Sequence, residues 1–275
     1  MKKHGPSRRV STSVVLVILL TAAVATVAAV GFGGGSRRET ALPASVATTG
    51  TAPPTAAATP SQPTASASHS SPLVAELPST YPNRGEGTYT YATGGTERFG
   101  TGKLKRYKVA VENGIGITPA LFAAEVDAVL DNTGAGWSAG GLWSFQRVSS
   151  GPVAFTVYLA SPHTTYEFCE KLIGQDVRES APGGVNCSNN GNTVVENVAR
   201  WIDLSTYYQG QPDVYHALAI DHEVGHSLGH GHVSCPGRGE PAPVMMQQIK
   251  GLHGCVPNGW PYTSEGAYIT GPSSP

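Results

Sequence analysis

Five of the nine histidines fall between residues 216 and 232. Within that stretch the chain reads His222-Glu223-Val224-Gly225-His226-Ser227-Leu228-Gly229-His230-Gly231-His232. His222 and His226 stand four residues apart. On an α-helix that spacing places both imidazoles on one face, one turn from each other. Two neutral imidazoles so placed can grip one metal ion at about 2.0–2.1 Å. Glu223 follows the first histidine directly and points elsewhere, so it is free to act on water as a general base. Gly229 lacks a Cβ and can take a positive φ that ends the helix and turns the chain back. His232 can then return as a third ligand. Three protein ligands leave one position for water, as a catalytic zinc site requires, so one Zn2+ is the expected cofactor. His230 is expected beside the ligands or in solvent, with substitution for His232 as the alternative.

The full H-E-x-x-H-x-x-G-x-x-H pattern resembles that of the metzincin clan of zinc metallopeptidases. The resemblance implies an α+β, metzincin-like fold: a mixed twisted sheet, an active-site helix, and an irregular C-terminal subdomain with a Met turn. Pro243-Val244-Met245-Met246-Gln247 supplies such a turn, and apart from Met1 it holds the only methionines. By resemblance, Met245 floors the three imidazoles. The wider text "WIDL", "DHEVGHSLGHGH", "CPGRGEPAPVMMQQ" and "PNGWP" is similar to a family of secreted or membrane-anchored actinobacterial zincin-like proteins. The chain departs from better-known clan members in three ways. No cysteine precedes Cys169, no Asp-rich calcium loop is present, and no tyrosine closely follows the Met turn. Tyr262 is the nearest candidate to stabilise an oxyanion; the alternative is core packing.

The elements that must position these groups alternate between strand and helix. Gly87–Tyr91, Leu104–Glu112, Phe145–Val148, Val153–Ala160 and Thr193–Ile202 read as strands. Thr118-Pro119 opens a helix that stops near Asn132-Thr133-Gly134. Thr164–Ile173 reads as a short helix, and Asp213–Leu228 as the helix that carries His222 and His226. Beyond Gly229, Gly and Pro dominate and little regular structure is expected.

The N-terminal third has another character. Lys2, Lys3, Arg8 and Arg9 precede an apolar run from Val14 to Phe32. Its 19 residues are about the length of a bilayer-spanning helix. Residues 1–33 are therefore expected to be a cytoplasmic tail and transmembrane signal anchor, with the remainder outside. A cleaved signal, with Ala23-Val24-Ala25 as its exit site, is the alternative. Residues 34–80 are expected to be a disordered stalk: Ala, Thr, Ser and Pro fill 32 of the 42 positions from 39 to 80. Residues 81–275, the expected peptidase domain, carry 12 basic and 17 acidic side chains. That balance argues against nucleic acid as a partner and suits basic or neutral targets.

Cys169, Cys187, Cys235 and Cys255 include no C-x-x-C pair. In an exported chain an even number reads as disulfides, and the local pairing Cys169–Cys187 and Cys235–Cys255 is the expected one of three. A rival assignment makes Cys235 a fourth metal ligand. The expected function is an extracytoplasmic zinc metalloendopeptidase with a peptide or protein substrate. A zinc-binding but non-proteolytic surface module and a metal-free structural domain are the alternatives.

Overall fold

A computed structural model of the protein describes residues 77–174, 176–177, 184–189 and 191–274. The expected anchor and all but the last four residues of the expected stalk lie outside the described residues. Among the described residues, no helix is long and apolar enough to cross a membrane.

Six strands form one mixed sheet: β1 (Tyr89–Tyr91), β2 (Lys103–Glu112), β3 (Trp143–Arg147), β4 (Phe155–Ala160), β5 (Cys187–Ser188) and β6 (Thr193–Asn197). Their order is β1-β2-β4-β6-β5, with β3 paired to the first half of β2. The inner pairs β2–β4 and β4–β6 are parallel, while β1 and β5 run antiparallel at the two ends. The parallel strands are β-branched and apolar on both faces, as Val109, Val111, Val157, Leu159, Val194 and Val195 illustrate.

Four helices complete the fold: α1 (Pro119–Leu130), α2 (Pro162–Ile173), α3 (Val198–Asp203) and α4 (Pro212–Ser227). Helix α1 starts as its sequence predicts, with the Thr118 hydroxyl accepting from the Leu121 amide and Pro119 in the first turn. Helix α4 is buried without interruption from Tyr215 to Asp221. A helix apolar on every side must be covered on every side. The C-terminal segment contributes to that cover, because a Cβ on Gly259 would lie 3.0 Å from the Ala217 methyl.

Three elements differ from the sequence expectation. The strand expected over Thr193–Ile202 ends at Asn197, and α3 replaces its second half. Asn197 causes the switch, since its side-chain oxygen accepts from the Ala199 amide and caps the new helix. Helix α2 begins at Pro162 rather than Thr164, with proline in its first turn. Strand β5 is unforeseen. Its two residues are held by pairing with Val194 and Val195, and Cys187 is bonded to Cys169 of α2.

Both expected disulfides are present, Cys169–Cys187 and Cys235–Cys255. Cys235 is therefore not available as a metal ligand. Disulfides form and persist in oxidising compartments, which fits an exported domain.

Candidate metal centre

Helix α4 carries His222 and His226 on one face, and its end returns His232 to them. The end is a Schellman turn: the His230 amide donates to the Gly225 carbonyl at 2.9 Å and the Gly229 amide to His226 at 3.0 Å. Gly229 supplies the required positive φ, +98°. One ligating nitrogen from each of His222, His226 and His232 lies within 4.8 Å of the other two.

Backbone carbonyls orient two of the rings. His222 Nδ1 donates to the Val244 carbonyl at 2.8 Å, and His226 Nδ1 donates to the His230 carbonyl at 2.9 Å. A carbonyl can only accept, so each ring keeps its proton on Nδ1 and turns an unprotonated Nε2 to the shared space. The Nε2 atoms of His226 and His232 are 3.1 Å apart. Two nitrogens tetrahedrally bound to one zinc at about 2.05 Å would be about 3.3 Å apart, so the donor set fits the ion. Burial holds the His222 imidazole down at about 3 and that of His232 at about 4, and lowers His226 as well. All three rings are thus neutral at pH 7, the form a metal needs.

Glu223 is nearly buried and lines the same cavity as the three histidines. Burial pushes its carboxyl up to about 8, and the Ser188 hydroxyl opposes that rise. Ser188 Oγ donates its single proton to the Glu223 backbone carbonyl at 3.0 Å, tying β5 to α4. The cavity is about 340 Å³ and includes residues from β5, α4 and the segment 246–250.

Residues 77–262 match the family described as Protein of unknown function (DUF3152). The chain belongs to this family. No curated protein and no solved structure gives a match. The part shared with DUF3152 includes all three histidines, Glu223, both methionines and all four cysteines.

The other expected site residues have separate places in this DUF3152 chain. Met245 is buried against Gly225, which stands between His222 and His226 on α4; a Cβ there would collide with the Met245 sulfur and lie 2.8 Å from Trp137 Cζ2. Its neighbour Met246 lines the cavity. Tyr262 packs against Tyr268, with ring centroids 5.3 Å apart, and its hydroxyl fills the space above Gly140; it is not among the residues lining the cavity. His230 stacks on Trp137 at 4.5 Å and contributes only its carbonyl to the centre. His216, outside the motif, stacks on Trp201 at 3.7 Å and is part of the core.

Several contributors were not legible beforehand. Val244 acts through its carbonyl, which carries no residue signature. Ser188 lies in a strand too short to show periodicity. Gln248 is buried, accepts from the Tyr208 hydroxyl, and donates to the carbonyls of Pro243 at 3.1 Å and Asn258 at 2.8 Å. It thereby clamps the turn that carries Val244 and the methionines. Buried Glu196 on β6 was also missed; burial and the neighbouring Glu223 carboxylate raise its pKa well above the usual range. A carboxyl inside an apolar run was the available signal.

Proposed function

We propose that the chain is a zinc-dependent metallopeptidase of metzincin type, acting outside the cytoplasm. The observation that carries the reading is the convergence of His222, His226 and His232 on one point of a cavity that also contains Glu223. His222, His226 and His232 would hold the ion through Nε2. Zinc, when bound, supplies a Lewis acid that polarises a scissile carbonyl and makes a nearby water acidic.

The chain's own groups do the rest. A cation held by the histidines would favour the carboxylate form of Glu223, which takes a proton from the attacking water and returns it to the leaving amine. The Nδ1 donations to Val244 and His230 fix ring tautomer and direction. Strand β5 is the last strand of its sheet and borders the cavity, which is where an extended peptide would add by strand pairing. That supports a peptide as substrate. The metzincin assignment rests on the helix, the glycine turn, the third histidine and the methionine turn occurring in that order around one point. The apolar run Val14–Phe32 is proposed to anchor the chain in the membrane, with the domain outside.

Glu223→Gln tests the reading. Zinc content of the purified full chain should stay near one per chain, while hydrolysis in a peptide library falls about 10²–10⁴-fold. Wild-type turnover in that variant overturns the role of Glu223. Zinc bound by the wild type without hydrolysis of any peptide assigns the chain as a binding module instead.

A further inference from the structure

Besides the imidazoles, the cavity is lined by the apolar side chains of Val177, Val185, Leu218, Ala219, Met246 and Ile249. At about 340 Å³ it is in the range of small-ligand pockets. Its charged lining groups, histidines aside, are two: Glu223 and Lys250. Lys250 ends the short turn after the methionines and is exposed. Its ammonium donates to Gln247 Oε1 at 3.3 Å, and among the described residues it has no carboxylate partner.

An ammonium that lines a largely apolar cavity and has only an amide as partner is placed to pair with an anion there. The domain is acidic overall, yet a cation is among the residues that line this cavity. We propose that Lys250 makes the site selective for peptides that place an apolar side chain in the cavity and a carboxylate beside it. The carboxylate is either an Asp or Glu side chain or the C-terminus of the peptide. This rests on the peptide-binding part of the proposed function, and not on hydrolysis.

The test uses the zinc-loaded full chain and four fluorescent peptides of one apolar sequence, read by anisotropy. Three have amidated C-termini and carry Glu, Gln or Lys at one position. The fourth carries Gln and a free C-terminal carboxylate. At least one carboxylate peptide should bind about three- to tenfold tighter than the Gln amide, and the arm that gains identifies the source. The preference should fade at high salt, vanish in Lys250→Ala, and invert toward the Lys peptide in Lys250→Glu. Equal binding of all four peptides, or binding of none, overturns the proposal. So does a preference that survives Lys250→Ala, since the carboxylate is then held by the metal. Discrimination without hydrolysis leaves this proposal standing and overturns the peptidase reading; hydrolysis of all four alike does the reverse.

Discussion

The Nδ1–H of His222 donates to the backbone carbonyl of Val244 at 2.8 Å. This one bond joins the helix that carries His222 and His226 to the turn that carries the methionines. The Val244 carbonyl is itself fixed by its neighbours, because the Met246 amide donates to Pro243 at 2.9 Å and Gln248 Nε2 to the same carbonyl at 3.1 Å. The imidazole is therefore oriented by a rigid turn and not by another mobile side chain. Such outer partners commonly contribute about 10–100-fold in metal affinity.

Removing a ligand should cost more than that. His232→Ala is expected to weaken zinc binding by more than about 100-fold, while His230→Ala, which keeps the carbonyl that holds His226, should change it little. Competition against a zinc-responsive dye measures both. A large loss in His230→Ala with little loss in His232→Ala would show that His230, not His232, completes the centre.

Gly225 has a packing role inside the motif. A methyl there meets the Met245 sulfur and the Trp137 ring, both buried. Gly225→Ala should destabilise the fold by about 1–3 kcal/mol through overpacking and weaken zinc binding by displacing the turn. Thermal unfolding with and without zinc reports both effects. An unchanged Tm would mean that the turn yields without cost.

The Cys235–Cys255 bond closes a 20-residue separation that contains Val244, Met245, Met246 and Gln248. Cys255→Ser should lower stability by about 3 kcal/mol in the chain-entropy description and loosen zinc binding with it. Chemical denaturation and dye competition on the same preparation check the two expectations. Wild-type zinc affinity in the variant would separate the disulfide from the centre.

Glu196 is fully buried, and among the described residues its carboxyl oxygens have no hydrogen-bond partner. Its folded pKa is raised, so the unfolded chain releases this proton at a lower pH than the folded chain does. Its contribution to stability is complete below the ordinary glutamate range and declines as pH rises toward the folded value. In the chelated chain, Glu196→Gln should remove that decline: Tm near wild type at pH 4 and above wild type at pH 8. A variant that is less stable at pH 8 would show that the ionised carboxylate has a partner worth keeping.

Much of the centre was legible before any coordinates. Two histidines four apart must share a helix face, and a glycine three residues on must be able to turn the chain. These are local rules, and His222, His226, Gly229 and His232 obey them without reference to the remainder of the chain. The local cysteine pairing was legible for a related reason, since short loops keep partners near one another.

Other features were decided only by packing. The strand expected to reach Ile202 gives way at Asn197, because a side-chain cap there competes with continued pairing. Strand β5 is two residues long and exists because β6 and a disulfide hold it. Gly225 carries a steric demand set by residues 20 and 88 positions away, Met245 and Trp137. The sequence by itself determined which atoms could hold a metal, because helical spacing and glycine freedom act over a few residues. Only the tertiary structure decided how two of those rings are oriented, what packs against Gly225 between them, and that Lys250 lines the same cavity, because backbone carbonyls and distant side chains meet only when the chain is folded.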